Sequence, residues 1–269
     1  QSFAKSPVSI KVYLRHLLFA LRVIVVALII IVLARPQSTN TWKNITTEGI
    51  DIILAIDVSG SMLARDFTPD RLEAAKEIGI KFISGRQTDR MGLVVFSGES
   101  FTLCPLTTDH ASLINMFKDI KMGILEDGTA IGSGLATATS RLKESTAISR
   151  VVILLTDGVN NRGEIAPLTA AEIAKSYGVR VYPVGIGSIG TAPYPVQTPF
   201  GVQYQEMEVK IDEEMLQQVA DMTGGKYFRA TNNKALEQVY AEIDKLERSK
   251  IDVVEHNKRE ERFRIFGFI

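Results

Sequence analysis

The sequence predicts an α/β protein built on a doubly wound, mostly parallel β-sheet with one antiparallel edge strand. Two near-continuous apolar runs rich in β-branched residues, Ile50–Val58 and the run that ends at Asp157, are typical of strands buried on both faces. Segments with helical spacing alternate with the strand-like runs along most of the chain. The adjacent runs Met91–Phe96 and Ser100–Leu106 predict a hairpin, which supplies the antiparallel edge.

The helices are predicted from apolar residues that recur every three or four positions. The first of them carries Leu72, Ala75 and Ile78 on one face. Two further strands are expected at Arg180–Gly185 and Gly224–Arg229. The predicted helices are Arg71–Ser84, Thr108–Lys121, Ile131–Lys143, Thr169–Tyr177, Asp212–Met222 (with Asp212 as its cap) and Asn233–Leu246.

The segment Thr191–Val209 is expected to be a hairpin-like insertion, because Pro193 and Pro195 exclude a helix there. The preceding Gly-Ile-Gly-Ser-Ile-Gly, residues 185–190, fits the dinucleotide-binding fingerprint. That fingerprint requires a helix to begin at its end, so we reject nucleotide binding at this place. Two interpretations of the insertion stay open: a decorated surface loop, or a partner contact, since binding residues favour loops.

Residues 1–36 are expected to form a juxtamembrane segment and a transmembrane helix. The stretch Leu17–Ala34 is apolar over about 18 positions, close to the lower limit for a membrane span, and Arg22 is its one charge. Near the helix start, Arg22 can reach the headgroups or face a neighbouring helix. Residues 37–48 are interpreted as a polar linker onto a domain at 49–248.

The carboxyl-terminal residues 249–269 are expected to form a charged connector and the start of a second span. The charged stretch 245–264 is interpreted as a solvated connection to the membrane. Basic residues before the first helix favour a cytoplasmic amino side and a domain on the other side of the membrane. The basic residues at 258–264 favour the opposite orientation. We give the first helix more weight because it usually sets topology.

Composition gives no support for nucleic-acid binding, since 31 Lys and Arg residues balance 31 Asp and Glu residues. Cys104 is the only cysteine, which excludes an intrachain disulfide. Its apolar neighbours favour a small buried residue over a reactive thiol. The chain begins at Gln rather than Met, so we expect it to be part of a longer polypeptide.

Oxygen-bearing side chains cluster where the first buried run ends. Asp57 is followed at alternate positions by Ser59 and Ser61, and Gly60 between them lets the backbone turn. A buried carboxylate costs free energy unless something pairs with it, and these oxygens suit Mg²⁺. The other interpretation is that the three residues only cap a following helix, as Ser and Asp before a helix commonly do.

Two distant stretches favour the metal site. Asp157 also ends a strand-like run and is followed by Gly158, and Thr129 lies in a glycine-flanked loop before a helical pattern. The carboxyl ends of neighbouring strands in such a sheet converge on one crevice. We therefore predict an oxygen-only metal site formed by Asp57, Ser59, Ser61, Thr129 and Asp157.

This set of residues, in this order and spacing, resembles the metal-ion-dependent adhesion site of von Willebrand factor type A domains. The resemblance covers roughly residues 47–246. It implies a bound Mg²⁺ or Mn²⁺ with one coordination position left open for an acidic residue of a partner. It also implies that the hydroxyls of Ser59, Ser61 and Thr129 bind the metal directly, and that Asp57 and Asp157 do so directly or through water.

A narrower resemblance is to the bacterial aerotolerance (Bat-type) von Willebrand factor type A membrane proteins. It rests on the helix ending Ala34–Gln37, the sequence Pro-Phe-Gly-Val-Gln-Tyr at 199–204, the stretch 223–231 and the expected second span. This resemblance implies a hetero-oligomer in the bacterial inner (cytoplasmic) membrane. The charge bias at the first helix adds the expectation that the domain lies in the periplasm. The implied partners are MoxR-type AAA+ ATPases and other von Willebrand factor type A and tetratricopeptide-repeat proteins, in a chaperone-like or stress-tolerance role.

Three functions are compatible with these patterns. The leading hypothesis is a membrane-anchored protein-interaction module that is not an enzyme. A metal-dependent hydrolase is the second, because two carboxylates and a divalent ion can activate water. Against it, Ser59 and Ser61 have no evident His or Lys partner, and His110 is the only histidine near the motif loops. The third is a structural subunit of a membrane transport assembly, motivated by Arg22 in the apolar helix.

Overall fold

A computed structural model describes residues 16–24, 49–86, 88–199 and 201–248 of the chain. Residues 16–24 form a helix, α1. Within the described ranges, no helix combines the length and the apolar character that crossing a membrane requires. Most of the expected first span, the linker at 37–48 and the connector at 249–269 lie outside the described residues.

The main sheet of the domain has six strands: β1 (Asp51–Asp57), β2 (Arg90–Phe96), β3 (Ser100–Thr107), β4 (Arg150–Thr156), β5 (Arg180–Ile186) and β8 (Phe228–Ala230). Their order in the sheet is β3-β2-β1-β4-β5-β8. All neighbouring pairs are parallel except β2 and β3, which pair antiparallel. The predicted mostly parallel sheet with one antiparallel edge is therefore confirmed.

The central strand β1 is buried along its whole length, as its apolar sequence predicts. Ile52 and Leu54 belong to the hydrophobic cluster on one face of the sheet, and Ile53 and Ala55 belong to the cluster on the other face. This alternation follows from the two-residue period of a strand. Helices on both faces of the sheet complete the doubly wound architecture.

Helices α2 to α6 begin and end within a few residues of the predicted bounds. Three of them begin at a capping carboxylate: Asp70 accepts from the N–H of Glu73, Asp109 caps α3 and Asp212 caps α6. The helices are α2 (Arg71–Ser84), α3 (His110–Lys118), α4 (Ile131–Leu142), α5 (Pro167–Ser176), α6 (Glu213–Thr223) and α7, which covers residues 233–248.

The predicted insertion is a hairpin of two strands, β6 (Thr191–Thr198) and β7 (Gly201–Glu208), which form a sheet of their own. No helix begins after the glycines at 185–190, since the chain continues directly into β6. Because the chain enters a strand here, a pyrophosphate would have no helix N-terminus to bind. This agrees with the rejection of nucleotide binding at these glycines.

The expectation of a solvated stretch from residue 245 onward is wrong for Glu247. Glu247 is fully buried in α7, where it accepts hydrogen bonds from Arg180, Ser149 and Tyr182. Arg180 Nε lies 2.9 Å from Glu247 Oε1. This charged residue is buried because the arginine and two hydroxyl groups compensate its charge. The domain packing therefore continues to the end of the described part of α7.

Candidate functional site

The candidate site is a cleft of about 450 Å³ at the carboxyl ends of β1 and β4. Four of the predicted ligands line it: Ser59, Ser61, Thr129 and Asp157. Asp57, the fifth, lies fully buried beside them and bonds to the backbone of Ser59. The topology thus brings together residues that are up to a hundred positions apart in sequence, as the convergence of strand ends predicts.

Asp57 is held by two hydrogen bonds at the end of β1. Its Oδ1 accepts from the N–H of Ser59 at 2.9 Å, and its Oδ2 accepts from Thr156 Oγ1 at 2.7 Å. Burial and the negative charge of Asp157 nevertheless raise the pKa of Asp57 to about 7. Burial also raises the pKa of Asp157, although its neighbour Arg71 opposes that effect. Two buried carboxylates in this environment would gain from a bound cation.

The two serines contact each other and Asp157. Ser59 Oγ lies 3.0 Å from Ser61 Oγ, and Ser61 Oγ donates to Asp157 Oδ1 at 2.7 Å. Ser59 does not cap a helix through its side chain. The Ser59 hydroxyl makes no hydrogen bond to the short 3₁₀ helix Gly60–Leu63 that follows it. The next α-helix has its own cap in Asp70. Both hydroxyls are therefore directed into the cleft rather than to helix ends.

Thr129 reaches the cleft on the loop that precedes α4. Its N–H donates to Asn161 Oδ1 at 2.8 Å, and its carbonyl accepts from the N–H of Asn161 at 3.0 Å. A Cβ at Gly158 would lie 3.5 Å from Thr129 Oγ1. This short distance places the Thr129 hydroxyl next to the residue that follows Asp157.

Arg71 was not predicted as part of the site. Its Nη1 donates to Asp157 Oδ2 at 2.7 Å, while Nε and Nη2 form a two-pronged pair with Asp66 at 2.7 and 2.6 Å. Asp66 Oδ2 also accepts from the N–H of Ser188 at 2.6 Å. Burial by itself would raise the pKa of Asp66. The contacts with Arg71 and Ser188 have the larger, opposite effect, so the pKa lies below its ordinary value. A fixed positive charge therefore lies beside the predicted metal ligands.

Asp127, Tyr194 and Thr156 are three further site residues that sequence reasoning did not assign. Asp127 Oδ1 accepts from the N–H of Gly60 at 3.1 Å, and Tyr194 lines the cleft from strand β6. Burial, together with the negative charges of Asp127 and Asp157, raises the pKa of Tyr194, so its hydroxyl keeps its proton. The sequence offered a signal only for Asp127, which lies two residues before Thr129.

The chemistry of the donors fits a hard divalent cation. Within the described part of the chain, no group of three or more His, Cys, Asp or Glu side chains is arranged to hold a metal ion. A cation in the cleft would thus depend on hydroxyl oxygens in addition to Asp57 and Asp157. Oxygen-only sites of this kind suit Mg²⁺ or Mn²⁺ better than metals that prefer sulfur or imidazole.

Comparison with known proteins identifies a family and several relatives. The von Willebrand factor type A domain family matches residues 51–242 of the chain. An uncharacterized protein from Borreliella burgdorferi is 33% identical over 231 residues, which cover 84% of this chain and 67% of that protein.

Two solved structures resemble the domain closely. The crystal structure of an aerotolerance-related membrane protein from Bacteroides fragilis has a TM-score of 0.62 and 30% identity, and the match covers 72% of this chain and 98% of that one. The structure of the conserved hypothetical protein BatB from Bacteroides thetaiotaomicron has a TM-score of 0.63 and 32% identity, covering 73% and 100%. The narrower resemblance to aerotolerance-related proteins, inferred from short sequence stretches, is therefore confirmed.

Proposed function

Because this chain belongs to the von Willebrand factor type A domain family, we propose that it is a protein-interaction module that binds its partners through a divalent metal ion, Mg²⁺ or Mn²⁺. The observation that supports this most is the contact chain Ser59–Ser61–Asp157, in which successive side-chain oxygens lie 3.0 and 2.7 Å apart beside the buried Asp57. The negative charges of Asp57 and Asp157 act on each other in a buried place, and a bound cation would offset that cost.

In this proposal Ser59, Ser61 and Thr129 offer hydroxyl oxygens to the metal, and Asp57 and Asp157 compensate its charge. When bound, the cation would supply a positive charge that attracts a carboxylate of the partner. The protein holds both of its own carboxylates in place for that ion. Asp57 is fixed by Ser59 and Thr156, and Asp157 is fixed by Ser61 and Arg71.

We further propose that the domain acts at a membrane surface. The chain is similar to aerotolerance-related membrane proteins, which supports an anchor in residues 1–36, a linker at 37–48, the domain at 49–248 and a second span that begins within 249–269. The proposed location is the bacterial inner membrane with the domain in the periplasm. The proposed partners are a MoxR-type AAA+ ATPase and other von Willebrand factor type A and tetratricopeptide-repeat proteins, in a complex with a chaperone-like or stress-tolerance role.

Binding is a better account of the site than hydrolysis. In the described residues, the hydroxyl of Ser61 donates to a carboxylate, and neither serine contacts a His or Lys that could activate it. His110 is held at the amino end of β2, where its Nε2 lies 2.9 Å from the carbonyl oxygen of Asp89. The candidate site is at the opposite, carboxyl edge of the sheet, so His110 is not placed to act there.

The test is capture of the cognate tetratricopeptide-repeat partner by the full chain in detergent micelles. We expect capture in Mg²⁺, loss of capture in EDTA, and loss in both conditions for Asp57→Ala. Ser84→Ala serves as the matched control, because Ser84 Oγ donates only to a backbone carbonyl of its own exposed helix end. Equal capture in all conditions would contradict the metal-dependent function.

A further inference from the structure

The cleft has a second wall that the family motif does not include. Ala192 and Tyr194 from β6, and Met207, Val209 and Lys210 from the end of β7 and beyond, face the residues of the candidate metal site. The volume of about 450 Å³ is much larger than one carboxyl group needs and lies within the range of sites that bind small ligands. A partner therefore has room to place several side-chain groups in the cleft.

The hairpin β6–β7 is fixed in position above the site. The N–H of Arg65 donates to the carbonyl of Pro193 at 2.9 Å, and the Arg65 guanidinium lies 4.5 Å from the ring centre of Tyr204. The contact of Ser188 with Asp66 holds the chain just before the hairpin. These contacts join both strands to the loop after β1, so the second wall is positioned before any partner binds.

The hydroxyl of Tyr194 is available to a ligand. A Cβ at Gly60, between the two predicted serine ligands, would lie 3.1 Å from this hydroxyl, which places Tyr194 directly beside the candidate site. Among the described residues the Tyr194 hydroxyl has no hydrogen-bond partner. Because the hydroxyl faces a cleft, a polar group of a bound partner would satisfy it.

The apolar side chains of the second wall favour a partner that also carries an apolar group. Met207 is 51% exposed and lines the cleft together with Ala192 and Val209. An apolar group of a partner would remove this exposed methionine surface from water. Lys210 at the rim pairs with Glu208, which also lines the cleft, at 3.0 Å, so this wall carries one charge of each sign. The wall thus combines an apolar contact and a hydroxyl donor with a charge pair.

We propose that the cleft binds a segment of a partner protein in which an acidic residue lies next to an apolar residue, with Tyr194 donating a hydrogen bond to the acidic side chain. One oxygen of the partner's carboxylate completes the metal site, the other accepts from Tyr194, and the apolar neighbour packs on Met207. This inference depends on the proposed metal-dependent function and names the chemistry of the partner. It also makes the hairpin the part of the domain that selects the partner.

The test uses the full chain in detergent micelles, loaded with Mn²⁺, and two defined peptides, acetyl-Leu-Glu-Leu-amide and acetyl-Leu-Gln-Leu-amide. The relaxation of peptide protons by bound Mn²⁺ reports proximity to the site, and a titration gives the affinity. We expect binding of the Glu peptide, negligible binding of the Gln peptide and an affinity about tenfold lower in Tyr194→Phe, since the lost hydrogen bond is to a charged group.

Tyr204→Phe is the matched control. It removes a hydroxyl from the same hairpin, outside the cleft, and keeps the ring that packs against Arg65. We expect wild-type affinity for the Glu peptide in this variant. If Mn²⁺ itself does not bind, the proposed function fails. If Mn²⁺ binds but the Glu peptide does not, or binds Tyr194→Phe as tightly as the wild type, the metal site stands and the inference about the hairpin is overturned.

Discussion

The guanidinium of Arg71 donates to Asp157 Oδ2 at 2.7 Å, and both side chains are buried. The other oxygen of Asp157 accepts from Ser61, so the whole carboxylate is held in one orientation. The remaining nitrogens of Arg71 bind Asp66. An internal cation therefore neutralises part of the negative charge at the candidate metal site and connects it, through Asp66, to the chain that leads into the hairpin.

Replacement of this internal cation should destabilise the domain in a metal-dependent way. We expect Arg71→Met to lower the free energy of unfolding by about 3–5 kcal/mol in EDTA, because Asp157 and Asp66 remain buried without their partner. In millimolar Mg²⁺ the loss should be smaller, since the metal replaces part of the missing positive charge. Urea unfolding in the two buffers measures both values.

Lys81→Met is the control for this prediction, because Lys81 lies on the same helix in a solvent-exposed pair with Glu77. We expect its unfolding curve to match the wild type in both buffers. An Arg71→Met variant that loses equal stability with and without Mg²⁺ would show that Arg71 acts only in packing.

Asp57→Asn should raise the stability of the metal-free domain and abolish its stabilisation by Mg²⁺. The variant removes a buried charge beside Asp157 but keeps an oxygen that can accept from the N–H of Ser59. At pH 8 in EDTA we expect unfolding at a higher urea concentration than for the wild type. The wild type should gain about 2.7 kcal/mol at a Mg²⁺ concentration a hundredfold above its Kd, and the variant should gain almost nothing.

Asp221→Asn, which changes an exposed carboxylate that contacts Gln217, should retain the full Mg²⁺ gain. Equal gains in Asp57→Asn and Asp221→Asn would mean that Mg²⁺ stabilises the domain without using Asp57.

Glu247 should make the stability of the domain depend on acid pH. Burial raises its pKa, but hydrogen bonds from Arg180, Ser149 and Tyr182 and the charge of Arg180 lower it below the ordinary 4.5. The carboxylate therefore contributes stability above about pH 4.5, and that contribution is lost as the pH falls through the lower pKa of the folded state. We expect Glu247→Gln to lose about 3 kcal/mol at pH 7 and progressively less below pH 4.5.

The measurement is urea unfolding of both proteins between pH 3 and pH 7. Glu242→Gln is the control, since Glu242 lies on the same helix in a half-exposed pair with Lys226. We expect it to follow the wild type at each pH. A difference between wild type and Glu247→Gln that does not change with pH would contradict the assigned role of the charge.

Gly132 should tolerate no side chain. A Cβ there would lie 1.9 Å from the carbonyl oxygen of Ile165, a backbone atom that cannot rotate away. We expect Gly132→Ala to destabilise the domain by about 3 kcal/mol or more, as overpacking at a rigid contact does, and to weaken Mg²⁺ binding because α4 carries the Thr129 loop. Thermal unfolding and Mg²⁺ titration measure the two effects. Gly85→Ala should unfold like the wild type, since its Cβ would meet nothing closer than 3.6 Å.

The order of strands and helices was predictable because each element has a local pattern. The apolar run at β1, the three-to-four-residue spacing in α2 and the prolines of β6 each favour one conformation over a short stretch. The proximity of Ser61 and Asp157 was also predictable, because they lie just after β1 and β4, which are neighbours in the sheet. Cys104 is buried, as its apolar neighbours predicted.

The sequence by itself therefore determined the α/β architecture, the hairpin insertion and the meeting of the β1 and β4 ends at one cleft. Only the tertiary structure decided that Arg71 neutralises Asp157, that Tyr194 faces Gly60 and that Glu247 is buried against Arg180. A charged or aromatic residue can lie at a helix start, in a surface hairpin or in a charged run. The sequence around it is the same whether it contacts solvent or a distant side chain. The packing of elements that are far apart in sequence determines which side chain such a residue contacts. A short-range sequence pattern does not contain that information.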